Sequence, residues 1–334
     1  MTLEKIEKND FNLTDEEILE LLRIKTDSHD FYRLISKSNE LSRTKFKNKG
    51  FVFTQIGINA EPCSKNCRFC SMGFEHYSLD SEWKKDIPTL KEELTNLQDF
   101  DFNDLFLMTT ADYPIDKFIE IAKEIKPLLK PAQRYVANIG DFDFDLAKEL
   151  KEIGFTGVYH INRLREGVDT LIPVENREKT IEAALKAGLE LYYCIEPIGP
   201  EHSYEELLQE IKRARDLKIS VMAVMRRIPV PGTPLYELGK ISASELTKIV
   251  AVTNLVVNPE RAMNVHEPTQ MALLAGVNQL YAEVGANPRD TKSDTEKGRG
   301  FTPDKAWDML RAPRKTIFLM PLFDTIILNG FLKT

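Results

Sequence analysis

Cysteine, histidine and tryptophan are scarce in this chain of 334 residues, which has four, five and two of them, respectively. Four cysteines are too few for the disulfide framework of a small secreted domain. Positive charge is also in the minority, since 45 lysines and arginines face 52 aspartates and glutamates and the net charge is −7. A general nucleic-acid surface needs an excess of positive charge, so we expect no nucleic-acid partner.

The chain also lacks an apolar run long and unbroken enough to cross a membrane. The most apolar stretch, residues 316–332, is interrupted by Pro321, Asp324 and Asn329. The first residues lack the basic-then-apolar pattern of a signal peptide. We therefore expect no membrane association and a cytoplasmic location, and we expect the apolar C-terminal tail to pack on the rest of the fold.

What the chain does have is a regular alternation of strand-like and amphipathic segments. The predicted strands are 51–58, 105–110, 134–140, 157–164, 189–197, 220–230, 262–266 and 279–285. The predicted helices are 15–24, 29–46, 114–130, 145–154, 177–188, 204–217, 244–257, 268–277 and 302–313. Strands separated by a helix or a long loop form a parallel sheet with right-handed crossovers. Eight repeats are the number that closes a (β/α)8 TIM barrel, and an open doubly wound sheet is the alternative within the α/β class.

The same pattern predicts how the chain is divided. Residues 1–48 form an N-terminal helical extension, residues 49–313 form the barrel, and residues 314–334 form the packed tail. In a (β/α)8 barrel the chemistry lies at the carboxyl ends of the strands. The segment after the first strand is therefore expected on the functional face.

That segment contains three of the four cysteines, Cys63, Cys67 and Cys70, in the spacing C-x3-C-x2-C. Thiolates are the usual ligands of iron–sulfur clusters and also suit zinc. A structural zinc site normally closes with four ligands, and here the fourth would be His76 or Cys194. A [4Fe–4S] cluster on three thiolates instead leaves one iron open. Three cysteines without metal are the remaining alternative, although a polar loop with lysine and arginine makes a poor core.

The sequence CSKNCRFC, residues 63–70, resembles the CxxxCxΦC signature of radical S-adenosylmethionine (SAM) enzymes. The resemblance extends along the chain to the branch that contains biotin synthase, the hydrogenase maturase HydE and methylornithine synthase. It implies that SAM binds the open iron of a [4Fe–4S] cluster and is cleaved by one electron. The resulting 5′-deoxyadenosyl radical would abstract hydrogen from a small-molecule substrate in cofactor or metabolite biosynthesis. An electron donor such as ferredoxin or flavodoxin and a monomer or homodimer are further expectations.

The resemblance also implies which residues hold SAM, matched strand by strand. They are Phe69 beside the cluster and adenine, Thr110 and Asp112 for the amino group, Asn138 and Asp141 after the third strand, Asn162 and Glu166 for the ribose, Arg177 for the carboxylate, and Ile228 and Val230 for the adenine edge. A guanidinium fork suits a carboxylate physically, which supports the role of Arg177.

The loops after strands five to eight are expected to receive the substrate. The candidate residues there are Cys194, Glu196, Arg226, His266, Glu283 and Arg289. Cys194 matches one ligand of the auxiliary [2Fe–2S] cluster of biotin synthase. That cluster needs three cysteines and an arginine, so this chain lacks the cysteines to build it.

The residues do not exclude other functions. Sulfur insertion of the lipoyl or biotin type and carbon-skeleton rearrangement are alternatives on the same scaffold, and a non-catalytic protein with a structural metal is the alternative from another class. The region from strand seven onward resembles biotin-synthase-like proteins of [Fe]-hydrogenase cofactor assembly. That group typically spaces its first two cysteines more widely than Cys63 and Cys67.

Overall fold

The computed structural model describes residues 2–266, 270–283 and 302–311, and its centre is a closed parallel barrel. The strands are β1 (Phe51–Gly57), β2 (Asp104–Met108), β3 (Arg134–Asn138), β4 (Gly157–Tyr159), β5 (Glu190–Ile198), β6 (Val221–Arg226), β7 (Ala262–His266) and β8 (Gln279–Glu283). Each strand pairs with the next in parallel, and β8 pairs with β1 through Phe53 and Tyr281. The predicted (β/α)8 barrel is confirmed, and the open sheet is excluded.

Helices surround the barrel in the order that the sequence predicts. They are α1 (Thr2–Glu7), α2 (Asp15–Leu22), α3 (His29–Phe46), α4 (Ile87–Leu97), α5 (Ile115–Ile125), α6 (Phe144–Ile153), α7 (Val174–Lys186), α8 (Tyr204–Asp216), α9 (Ala243–Val257), α10 (Gln270–Leu274) and α11 (Pro303–Arg311). Helices α1 and α4 were not predicted from the sequence. For α4 a signal was present, because Asp86 caps the helix by accepting from the amide of Thr89 and Pro88 lies in its first turn.

The N-terminal helices pack on one side of the barrel, against α8 and α9. The amide of Asn254 in α9 donates to the hydroxyls of Ser38 and Ser42 in α3, at 2.8 and 3.0 Å. Ser38 in turn donates to the carbonyl of Ala275, after α10. These buried hydrogen bonds are made by polar groups that would otherwise be costly to bury.

An aromatic layer fills the middle of the barrel. Phe53, Phe106, Tyr192 and Tyr281 are buried there in contact with Val136 and other apolar side chains of the strands. Successive side chains of a strand point to opposite faces of the sheet. These residues are the ones that point into the barrel, about halfway along its axis. The interior is therefore packed rather than open at this level.

Below the aromatic layer, ionic contacts close the amino-terminal end of the barrel. The fully buried carboxylate of Asp104 accepts from Arg261 at 2.6 and 3.0 Å and from the amide of Gln279 at 2.8 Å. Arg261 also donates to the hydroxyl of Tyr192. The functional face is consequently the opposite end, where the strands finish.

Within the described residues, no helix combines the length and the apolar character that crossing a membrane requires. The tail 314–334 and the loop that contains Arg289 lie outside the described residues.

Removing the charge of Asp104 is expected to destabilise the fold. The variant Asp104→Asn leaves Arg261 buried without its counter-ion, which costs about 3–5 kcal/mol when one partner of a buried pair is lost. Urea unfolding followed by circular dichroism measures the change. Asp145→Asn is the matched control, because that carboxylate is 85% exposed beside Lys148 and its loss should change stability by less than about 0.5 kcal/mol. Equal stability of the two variants would contradict the role of the buried pair.

Candidate active site

The three cysteines lie on a loop that its own backbone hydrogen bonds hold in shape. The amide of Cys63 donates to the carbonyl of Met72 at 2.7 Å, and the amide of Phe74 donates back to the carbonyl of Cys63 at 3.0 Å. A tighter turn brings the amide of Cys70 to the carbonyl of Cys67 at 2.9 Å. The three thiols are therefore brought to one side of a folded loop.

His76 supports this loop from behind. Its Nε2 lies 3.1 Å from the carbonyl oxygens of both Cys67 and Cys70, so this nitrogen must be the donor. Gly73 makes the contact possible, because a Cβ at that position would lie 2.3 Å from the His76 ring. With Nε2 committed to the backbone, His76 stabilises the loop and is a poor fourth ligand for zinc.

Neighbouring loops anchor the same segment. The amide of Arg68 donates to the carbonyl of Asp169, and its guanidinium pairs with the Asp169 carboxylate at 3.0 Å. The amide of Leu235 donates to the carbonyl of Arg68. The loop after β2 contributes Asp112, whose carboxylate accepts from the hydroxyl of Ser64 at 2.9 Å. The cysteine loop is thus tied to the loops after β2, β4 and β6.

An open cavity lies next to the cysteines, at the carboxyl ends of β2 to β4. Its lining includes Cys63, Cys67, Cys70, Thr110, Asn138, Tyr159, His160, Arg163 and Arg177. Small-molecule sites likewise combine apolar walls with a few convergent polar groups. Burial raises the pKa of the Cys67 thiol to about 12, and the charge of Arg163 opposes that rise only in part. Cys67 is therefore a neutral thiol at pH 7 unless a metal binds it.

Beside the cavity, five charged side chains alternate in sign. Arg177 pairs with Asp141 at 3.0 Å and with Glu166 at 3.3 Å. Arg163 lies 3.9 Å from Glu166 and 3.4 Å from Glu196. We call this series, Asp141–Arg177–Glu166–Arg163–Glu196, the ion chain. It runs from the loop after β3 to the inside of β5, so it joins the cavity to the barrel interior.

Burial and charge set the protonation states at the outer end of the ion chain. Burial and the charge of Arg177 lower the pKa of His160 to about 4, against the opposing effect of Asp141. Burial alone would raise the pKa of Asp141, but the hydrogen bond from His160 and the charge of Arg177 outweigh it and hold the pKa below its ordinary value. At neutral pH His160 is therefore a neutral donor to an ionised Asp141, 3.0 Å away.

The structure brings six of the predicted cofactor-site residues to the cavity wall. They are Cys63, Cys67, Cys70, Thr110, Asn138 and Arg177. Phe69 is half-buried in the cysteine loop. The carbonyl of Val230 closes a turn by accepting from Thr233, which leaves that oxygen committed, and Ile228 packs against the core.

Four of the other predicted SAM contacts do not line this cavity. Asp112 binds the cysteine loop, and Asp141 and Glu166 belong to the ion chain. The backbone amide of Asn162 donates to the hydroxyl of Tyr193 on β5 at 3.4 Å. Each of these polar groups faces a partner in the fold that the linear sequence does not reveal, and their contacts with SAM stay predictions.

The substrate candidates divide in a similar way. Cys194, Glu196 and His266 come together inside the barrel. Arg226 is the exception, because its guanidinium donates to the carbonyl of Ile241. Arg226 follows Met225, which is in register with His266, so strand alternation turns Arg226 outward. Glu283 ends β8. The side chain of Glu283 and the whole of Arg289 lie outside the part of the chain that the structure describes.

Three residues of the site were not predicted from the sequence. Arg163 and His160 line the cavity, and Asn59 connects the loops after β1 and β2 by accepting from the amide of Thr110 at 2.9 Å. Arg163 and His160 flank Ile161 and Asn162 in a polar stretch after β4, which was the available signal. Asn59 lies directly after a strand, at the end where functional side chains collect.

Solved structures with this fold include methylornithine synthase, which the sequence resemblance named, and the maturase HydG. Methylornithine synthase (PylB) superposes with a TM-score of 0.73 at 19% identity, covering 84% of this chain and 85% of that one. HydG, a maturase of the [FeFe]-hydrogenase, gives a TM-score of 0.73 at 18% identity, covering 91% and 72%. No protein-family model matches the chain.

Curated relatives are more similar to this chain in sequence than these solved structures are. Biotin synthase from Clostridioides difficile is 25% identical over 256 residues, which is 72% of this chain and 77% of the relative. Biotin synthase from Anaplasma marginale (strain Florida) is 25% identical over 321 residues, which is 88% and 96%. These relatives and structures indicate the radical SAM superfamily, in its biotin synthase-like branch. The chain is a radical SAM enzyme, and the superfamily implies an iron–sulfur cluster and SAM as its cofactors.

The buried neutral His160 of this radical SAM enzyme is expected to make stability depend on pH. Its pKa in the folded state, about 4, is below the unfolded value of 6.5, so between these values only the unfolded chain binds the proton. Stability should fall by about 2–3 kcal/mol as pH drops from 6.5 to 4. In His160→Gln that loss should largely disappear, whereas His29→Gln, an exposed control, should keep it. Thermal unfolding at several pH values measures both, and identical slopes would contradict the assignment.

Proposed function

We propose that this enzyme holds a [4Fe–4S] cluster on Cys63, Cys67 and Cys70 and uses it to cleave SAM reductively. When bound, the cluster and SAM supply a 5′-deoxyadenosyl radical that abstracts hydrogen from an unactivated C–H bond. The observation that carries the proposal is the presence of three converging thiols beside a cavity, with the side chain of His76 turned to the backbone. The product belongs to cofactor or metabolite biosynthesis in this proposal.

The donor set fits such a cluster. Among the described residues, three thiols converge without a fourth protein ligand, which matches a cluster whose remaining iron takes an external ligand. The loop is also folded by backbone hydrogen bonds that do not involve the sulfur atoms. Because burial raises the pKa of Cys67, a metal ion has to displace the proton of that thiol when it binds.

Arg177 is the residue we propose for the SAM carboxylate. Its Nε and Nη1 are held by Glu166 and Asp141, while the side chain lines the cavity. A guanidinium fixed on one side by two carboxylates presents its remaining edge in a defined direction. Thr110 and Asn138 add polar groups to the same wall.

The substrate is a small molecule, as for other radical SAM enzymes, and we propose that it approaches the barrel interior past Arg163. An external one-electron donor such as ferredoxin or flavodoxin is needed to reduce the cluster. Arg163 lies between the thiol of Cys67 and Glu196, and the charges of Glu196 and Glu166 outweigh burial and keep its pKa above the ordinary value. Arg163 is therefore a permanent cation at the cavity wall, compensated by these two carboxylates.

Replacing Cys67 with alanine is expected to abolish both the cluster and SAM cleavage. Anaerobic reconstitution with iron and sulfide, followed by dithionite and SAM, should yield 5′-deoxyadenosine from the wild type and none from Cys67→Ala. Cys194→Ser removes a thiol outside the loop and should retain four irons, which makes it the matched control for cluster assembly. Absence of 5′-deoxyadenosine from wild-type protein that holds a four-iron cluster would refute the proposed function.

Replacing Arg177 with lysine is expected to weaken SAM binding about tenfold, because a point charge replaces a fork of donors. Equilibrium binding of SAM to the reconstituted protein measures the change, and the iron content should stay constant. Arg213→Lys is the control, since that arginine pairs with Glu178 on the outer helices. Unchanged SAM affinity in Arg177→Lys would remove Arg177 from the SAM site.

A further inference from the structure

Three potential metal ligands meet inside the barrel, apart from the cysteine loop. Cys194 and Glu196 lie two residues apart on β5, so their side chains point to the same side of the strand. His266 ends β7, two strands away. The sulfur of Cys194, a carboxylate oxygen of Glu196 and a ring nitrogen of His266 all lie within 4.8 Å of one another.

We propose that Cys194, Glu196 and His266 bind a divalent transition-metal ion of the zinc class. Ligands placed about 2.0–2.3 Å from a tetrahedral ion are about 3.5 Å apart, so adjustments of roughly 1 Å would complete the site. Magnesium and calcium prefer oxygen ligands alone. A set of one thiolate, one imidazole and one carboxylate selects zinc, cobalt or iron(II) instead.

The charges of such a site balance. Cys194 binds as a thiolate after its proton leaves to solvent, Glu196 binds as a carboxylate, and His266 binds neutral. Their total of −2 neutralises the divalent ion, which favours binding in a buried, low-dielectric interior. Cys194 and Glu196 are indeed almost fully buried.

The surroundings match those of known metal sites. Ligating carboxylates usually have a second partner that orients them, and Nε of Arg163 lies 3.4 Å from Oε1 of Glu196. Aromatic rings enclose the imidazole of His266, with centroids of Phe53, Tyr159 and Tyr281 at 6.0, 6.1 and 5.5 Å. These rings restrict the orientation of the imidazole and keep water from the site.

Three protein ligands leave one tetrahedral position for another molecule. A small molecule with an amine, carboxylate or thiolate group can fill it, near Arg163, which contacts Glu196 and also lines the cavity. The metal site itself does not depend on the proposed function, whereas its use as a substrate anchor rests on it. The two are tested separately, since metal binding is measured here without SAM.

Cobalt(II) is the probe for this site, because iron in the cluster does not contribute at the cobalt absorption edge. Reconstituted protein, with the cysteine loop occupied, is titrated with cobalt(II) and freed of excess metal by gel filtration. We expect one cobalt per chain, with a sulfur neighbour at about 2.3 Å in the cobalt-edge spectrum, as for zinc–thiolate bonds. Binding should strengthen as pH rises, because the thiol must lose its proton.

The variants decide whether these three residues are the ligands. Cys194→Ser should lose the sulfur neighbour, and Glu196→Gln and His266→Gln should each weaken cobalt binding at least tenfold. His202→Gln is the control, since His202 accepts from the amide of Gly199 outside this group and should leave binding unchanged. Circular dichroism confirms folding, and if Cys194→Ser does not fold, the other two variants carry the test. No retained cobalt in the wild type, or an unchanged sulfur signal in Cys194→Ser, overturns the proposal.

Discussion

Arg163 lies between two buried carboxylates, and much of the functional face depends on that arrangement. Glu166 lies 3.9 Å away on one side and Glu196 lies 3.4 Å away on the other. Buried charges are stable only when each is compensated by close opposite charges and hydrogen bonds. The ion chain meets this requirement by alternating sign from Asp141 to Glu196. Its members are therefore mutually dependent, and the position of Arg177 at the cavity follows from the same series of contacts.

The cysteine loop obeys a different constraint. Its shape comes from main-chain hydrogen bonds within the loop and from contacts with the loops after β2, β4 and β6. The thiols contribute little to that shape, so they remain available to a metal. Donors that are positioned before the ligand arrives require little rearrangement on binding, which is how sites on rigid scaffolds gain precision. The closed barrel provides that scaffold, because every strand end is fixed by two neighbours.

The sequence was informative where the signal is local. Cys63, Cys67 and Cys70 indicate the family by spacing, and short strand-like runs between amphipathic helices located all eight strands. The sequence failed where the outcome depends on distant partners. Arg226 was expected to face the substrate, yet the strand register turns it outward, and Arg163 was overlooked although it links the two halves of the site. Glu166 and Arg177 were both selected, but their pairing arises only when α7 packs beside the loop after β4.

Within the described residues, the ion pair of Asp104 and Arg261, with the aromatic layer above it, closes the amino-terminal end of the barrel. Arg261 also donates to the hydroxyl of Tyr192, which lies on β5 two residues before Cys194. One strand therefore carries both a contact of the closed base and a ligand of the proposed metal site, so the base helps to hold that ligand in place although it lies at the opposite end of the barrel.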